Sequence, residues 1–201
     1  MLESPAKPLD LLVVGIDLDP LLAASLEEDA AALRSTLHRS CPRLPARWVS
    51  RANLHLTLVF IGHVADAEAP VLTSRLAPPF EVRPFELRIE GFGTFPASGP
   101  LRVIWMGVVA GMRELSLLHS EITARLAGEG HAVEAKPYTP HLTIARVKEA
   151  RGPSARAARD IARKARGRGG SARVEEVTLF QSHQSAAGSV YDRLLRIPLL
   201  K

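Results

Sequence analysis

Cysteine is almost absent: Cys41 is the only one in 201 residues, so neither a disulfide framework nor a thiolate metal cluster is available. The seven histidines include no His-Glu-x-x-His pattern, which excludes the familiar helical zinc-hydrolase signature. A Gly-x-x-x-x-Gly-Lys-Ser/Thr loop is missing as well, so nothing in the chain announces nucleotide-dependent phosphoryl transfer. Long apolar runs are also lacking. Leu11–Ile16 is far too short for a signal core or a membrane span, and the first ten residues carry one basic residue and two prolines; the expectation is a soluble, cytoplasmic protein. Aromatics make up only 5% of the residues, so the core has to be built from Leu, Val, Ile and Ala.

What is present is ample apolar material, 46% of the chain, and a formal net charge of +5. The length and apolar content fit one ordinary domain, and the charge favours an anionic partner without naming it. No linker divides the sequence, so residues 1–201 are expected to form a single domain. Leu11–Leu18 reads as a buried strand, and Asp19-Pro20 opens a helix with Leu22, Leu26, Leu33 and Leu37 on one stripe, ending near Cys41-Pro42. A second strand spans Leu54–Ile61 and is ended by Gly62; a helix follows around Ala65–Leu76. Phe85, Leu87 and Ile89 alternate in a strand that runs into a turn at Gly91–Thr94, and Leu101–Val109 is another buried strand, with Trp105 read as core. Leu115, Leu118, Ile122 and Leu126 mark a helix over Met112–Ala127, stopped by Gly128 and Gly130. Leu142–Val147 is a strand introduced by Pro137–Pro140, Pro153–Gly170 a basic helix running into a glycine-rich turn, and Val174–Phe180 and Val190–Leu195 the closing strands. Interspersed helices and locally paired strands point to an α+β domain of two lobes.

One pattern occurs twice. His55-Leu56-Thr57-Leu58 recurs as His141-Leu142-Thr143-Ile144, each inside an apolar strand. Residues i and i+2 of a strand share a face, so each copy presents an imidazole beside a hydroxyl while Leu56 and Leu142 point into the core. Two imidazoles can divide proton transfer between base and acid, and hydroxyls can hold phosphate oxygens, with no obligatory carboxylate or metal. A lone His-x-Thr is commonplace; the second copy gives the first its weight. Trp48 and Tyr138 shortly precede the two motifs, placed either to stack on a terminal base or to fill rim and core. The basic run Arg156, Arg159, Arg163, Lys164, Arg166 and Arg168 is ordinarily a solvated face, but it would also suit phosphate contacts.

Arg47-Trp48-Val49, the two motifs with Phe60-Ile61-Gly62 and Ala145-Arg146 behind them, and Val177–Ser182 with Gly188 and Tyr191 resemble the two-histidine phosphoesterases. More narrowly, they resemble the RNA 2′,3′-cyclic phosphodiesterases also called 2′-5′ RNA ligases. The resemblance implies a bilobal fold with two antiparallel sheets lining a central cleft and helices outside. It implies cofactor-free and metal-free hydrolysis of RNA 2′,3′-cyclic phosphate ends, tRNA fragments among the candidate substrates, by a monomer, with reversible ATP-independent ligation as a side activity. His141 would be the general base and His55 the general acid; Thr57, Thr143 and Arg146 would bind the phosphate. Arg146 raises a difficulty, because strict alternation from His141 puts it on the opposite face. The strand has to twist, bulge or end before it. The alternatives are a phosphodiesterase for small cyclic nucleotides or ADP-ribose cyclic phosphate, and a non-catalytic nucleotide- or RNA-binding module.

Overall fold

A computed structural model describes residues 10–65, 67–128, 137–185 and 188–200. Strand β1 (Asp10–Asp17) leads into helix α1 (Pro20–Ser40), followed by a short strand β2 (Ala46–Trp48), a 3-10 turn (Arg51–Asn53) and β3 (His55–Val64). Helix α2 (Ala69–Leu76), strands β4 (Phe85–Phe95) and β5 (Leu101–Ala110) and helix α3 (Met112–Leu126) come next. Then follow β6 (His141–Ala150), α4 (Gly152–Lys164), β7 (Gly170–Val174), β8 (Glu176–Ser185) and β9 (Gly188–Pro198). Helix α1 starts where Asp19 accepts the Leu21 and Leu22 amides at 2.8 and 3.2 Å, a side-chain cap reinforced by Pro20 at the first helical position.

The strands form one nine-stranded antiparallel sheet in the order β7-β4-β5-β6-β3-β1-β8-β9, with β2 pairing β6. The α+β class holds, and the two sheets expected to line a cleft are two halves of this one. They join at a single residue pair, Leu56 opposite Leu142. Both leucines are fully buried in one core cluster with Leu22, Leu26 and Leu33 of α1, Leu72 and Leu76 of α2, Leu115, Leu118 and Ile122 of α3 and Ala155 and Ala158 of α4. The four helices α1–α4 therefore cover the face to which Leu56 and Leu142 point, and among the described residues no helix lies on the histidine face. Truncating either leucine to alanine would cost about 2–5 kcal/mol on the usual scale for core cavities.

Several boundaries differ from the sequence reading. Gly62 does not end β3 but sits inside it at a positive φ of 94°, next to an irregularity in the pairing with β1. Gly91–Thr94 is not a turn: β4 runs on to Phe95 through a bulge between Glu90 and Phe92. Val174–Phe180 divides between β7 and β8, which lie at well-separated places in the sheet. The three-residue β2 escaped notice because proline and arginine break its pattern. Gly130 lies outside the described residues.

Candidate active site

Each motif histidine is the first residue of its strand, held by the turn before it. The His55 Nδ1 lies 2.9 Å from the Asn53 carbonyl oxygen, and Asn53 is itself anchored through its Nδ2, which donates to the Ser189 carbonyl at 2.7 Å. The His141 Nδ1 lies 2.8 Å from the Thr139 carbonyl oxygen. A carbonyl oxygen only accepts, so Nδ1 must carry the proton in both rings. The neutral rings thus keep their lone pairs on Nε2, ready to accept or, once protonated, to donate.

Antiparallel register about the Leu56–Leu142 pair sets His55 across from Thr143 and Thr57 across from His141. Paired residues of neighbouring strands project to the same side. All four side chains consequently share one face, and each is half-buried. Neighbouring strands extend the set, with Asp17 opposite His55 and Gly15 opposite Thr57 on β1, and Trp105 opposite Thr143 and Gly107 opposite His141 on β5. A Cβ on Gly15 would meet the Leu56 carbonyl oxygen at 2.6 Å, so only glycine lets β1 come this close beside the motif.

The difficulty over Arg146 resolves in a bulge. Ile104 pairs Ala145 and Trp105 pairs Thr143, so Ile144 is an extra residue; Ile144 and Ala145 are both buried. The alternation shifts by one, and Arg146 emerges on the side of His141 and Thr143. The same irregularity occurs in β3, where Gly15 pairs Thr57 and Val14 pairs Val59. There the equivalent position is Phe60, 46% exposed. The two halves are thus alike in their His-x-Thr pairs and unlike just beyond them, with a guanidinium on one side and a phenyl ring on the other.

The two imidazoles also differ in surroundings. The His55 ring lies 4.5 Å from Tyr191 and 5.2 Å from Phe180, and Asp17 beside it is held by Arg193, whose Nη2 donates to Oδ1 at 2.8 Å. His141 meets Phe95 edge-on at 4.9 Å and Trp105 at 6.4 Å. Burial lowers the pKa of both histidines and the Arg146 charge lowers both further, while the backbone bonds to Asn53 and Thr139 act the other way. Among the described residues His55 alone has a carboxylate neighbour: Asp17 raises its pKa, partly offset by Arg193.

Some residues nominated by sequence lie elsewhere. Trp48 pairs Ala145, on the core side of β2, and lines a hollow with Arg34, Leu37, His38, Cys41 and Leu44. The Tyr138 ring stacks on His119 of α3 at 4.5 Å, its hydroxyl donates to the Thr57 carbonyl at 3.3 Å, and burial pushes its pKa well above the usual phenol value. Both thus have packing partners within the protein. Trp105, read as core, is instead half-exposed on the histidine face. It fits there because Gly93 lies opposite it; a Cβ on Gly93 would come within 2.2 Å of the indole. Phe95, Asp17 and Arg193 carry no motif of their own and Tyr191 enters the sequence reading only through the family resemblance, since only tertiary pairing brings all four to the histidines. The basic run is largely occupied, and the helix that carries its first part stops at Lys164: Arg159 donates to the Gly99 carbonyl at 2.7 Å, Arg163 and Lys164 pair with Asp160 at 2.6 and 2.7 Å, and Arg168, beyond the helix, pairs with Glu28. Among the described residues no three metal-binding side chains converge, and no helix is long and apolar enough to cross a membrane.

Two His-x-Thr strands meeting on one face of an antiparallel sheet define a two-histidine phosphoesterase. The chain belongs to the 2′-5′ RNA ligase superfamily, whose family model matches residues 22–186. It is 32% identical over 158 residues to the RNA 2′,3′-cyclic phosphodiesterase of Aeropyrum pernix, covering 77% of this chain and 86% of that protein. The RNA 2′,3′-cyclic phosphodiesterase of Methanothermobacter thermautotrophicus is 30% identical over 179 residues, covering 89% of this chain and 92% of that protein. Among solved structures, Escherichia coli LigT complexed with 3′-AMP is similar with a TM-score of 0.71 and 25% identity, over 97% of this chain and 100% of that one.

Proposed function

We propose that the protein hydrolyses RNA ends bearing a 2′,3′-cyclic phosphate to 2′-phosphomonoesters. The observation that carries this reading is the matched pair of imidazoles, each with Nδ1 committed to a backbone carbonyl and Nε2 left for chemistry. The relatives' activity supports the choice of substrate. The phosphodiester sits between the two motifs, its non-bridging oxygens on the Thr57 and Thr143 hydroxyls and on the Arg146 guanidinium, whose planar fork suits a phosphate under attack. His141 Nε2 takes a proton from water as the water oxygen bonds to phosphorus. The P–O3′ bond breaks, and protonated His55 Nε2 delivers its proton to O3′. The phosphate remains on O2′, and the two rings return to their starting states by proton exchange with solvent.

The Asp17 carboxylate supports the allocation of roles, because it favours the imidazolium form of the ring beside it, acting against the burial that lowers that ring's pKa. A ribose 2′-hydroxyl in place of water would use the same two proton transfers and form a 2′-5′ bond, so slow ATP-independent ligation belongs to the same proposal. The proposed catalytic unit is a monomer, and tRNA fragments with cyclic ends are candidate substrates. The test is incubation with an oligoribonucleotide ending in a 2′,3′-cyclic phosphate, with the product end identified chromatographically. A 2′-phosphate is expected. A 3′-phosphate, or an unopened cyclic end, would overturn the proposal.

A further inference from the structure

Arg146 faces a second guanidinium. Arg47 of β2 pairs directly with Arg146 of β6, so the two side chains project from the same face of the sheet, one strand apart. Both are exposed. Neither has an ion pair or a side-chain hydrogen bond among the described residues. Like charges directly opposite one another on adjacent strands are destabilising, and several arginines elsewhere on this protein do find acceptors, as Arg159, Arg163, Arg168 and Arg193 do. The strand that holds Arg47 is short but firmly placed: the Val49 amide donates to the Ile144 carbonyl at 2.9 Å and the Lys148 amide to the Pro45 carbonyl at 3.0 Å. A three-residue strand thus fixes a second cation beside the first, with no anion among the described residues paired to either.

The two arginines are not equivalent. Arg146 shares a strand with His141 and its charge lowers the pKa of both imidazoles, whereas Arg47 lies on the neighbouring strand β2, across from Arg146. Arg47 therefore stands one step outward from the reacting phosphate.

We propose that Arg47 binds the phosphodiester on the 5′ side of the terminal nucleotide, making it the determinant that favours an RNA chain over a cyclic mononucleotide. This inference rests on the proposed function for its substrate. A cyclic nucleoside monophosphate offers one phosphate, which the histidines, threonines and Arg146 occupy; an oligonucleotide offers the next phosphate along, at which a second guanidinium can be neutralised. The contact adds affinity without reading a base, as phosphate contacts do. It also replaces the α4 run as the anchor for the RNA backbone, since that helix packs against the opposite face and its cations are largely paired.

The experiment compares the wild-type protein, Arg47→Gln and Arg113→Gln, the last removing an exposed charge of α3 as a control for net charge. Hydrolysis is measured on a 2′,3′-cyclic nucleoside monophosphate and on a tetranucleotide ending in a 2′,3′-cyclic phosphate. In parallel, binding of a fluorescein-labelled tetranucleotide ending in a 2′-phosphate is followed by anisotropy from about 50 to 200 mM salt. In Arg47→Gln, kcat/KM for the tetranucleotide should fall about tenfold further than for the mononucleotide, and the log–log salt slope should lose about 0.7, the value for one single-strand phosphate contact. Arg113→Gln should stay within about twofold of wild type on both substrates. Equal losses on the two substrates, or an unchanged salt slope, would overturn the assignment. Should the wild-type protein hydrolyse neither substrate, the proposed function fails, and the salt slope still decides whether Arg47 contacts the chain.

Discussion

Gly93→Ala tests whether Trp105 belongs to the histidine face. Gly93 is not among the glycines at positive φ, so alanine can adopt its backbone conformation, and on chain entropy alone the change would stabilise by about 0.4–1 kcal/mol. The structure predicts the opposite sign. A Cβ at this position would stand 2.2 Å from two ring carbons of Trp105 and 2.6 Å from a third, where carbon atoms need about 3.5–4 Å. The indole must therefore retreat by more than 1 Å, roughly. It is flanked by Phe95 at 5.1 Å and His141 at 6.4 Å, so the movement disturbs the wall beside an imidazole. Overpacking of this kind costs about 1–3 kcal/mol, which in a protein of this size lowers Tm by roughly 2–12 °C. Thermal unfolding followed by circular dichroism measures it. Tryptophan fluorescence in a Trp48→Phe background shows whether the Trp105 environment changes, and kcat/KM should fall with a folded protein. A variant as stable as wild type with unaltered fluorescence would refute the placement of Trp105.

Two further outcomes concern the electrostatics of the site. Asp17→Asn removes the one carboxylate that raises the His55 pKa, so the alkaline limb of kcat/KM should move to lower pH while the acidic limb stays; movement of the acidic limb alone would reverse the acid and base roles. The Arg146 charge lowers both imidazoles, so Arg146→Gln should raise the pKa of His55 and His141 together in an NMR titration and reduce kcat/KM by about 10–100-fold through loss of a charge-assisted phosphate contact. A shift at one ring only would contradict an Arg146 charge that acts on both.

The His-x-Thr pairs were legible because they need only the two-residue period of a strand, and the stripe on α1 because it needs only the helical one. The faces of later residues were not legible in the same way. Arg146 looked misplaced because the bulge at Ile144 is set by pairing with β5, and no glycine or proline in β6 announces it. Trp105 looked like core because it sits in the apolar run LRVIWMGVV; its true place depends on Gly93, a residue twelve positions earlier on another strand. Asp17, Phe95, Tyr191 and Arg193 join the site through sheet order alone. Trp48 and Tyr138 were nominated by closeness in sequence to the motifs, yet Trp48 pairs on the core side of β2 and Tyr138 stacks on α3. The basic residues from Arg156 to Arg168 show their charge in the sequence but not their partners, which come from Asp160, Glu28 and the β4–β5 connection.

The central claim is that His55 and His141 act as one acid–base unit on a cyclic phosphate. The most direct measurement compares His55→Ala, His141→Ala and the double variant on an oligoribonucleotide ending in a 2′,3′-cyclic phosphate, with circular dichroism to confirm an intact fold. Each single variant should lose about 10³-fold or more in kcat, and the double variant should lose little beyond that, because removing either partner already breaks the proton relay. A single variant that keeps substantial hydrolysis, or losses that multiply in the double variant, would contradict the account.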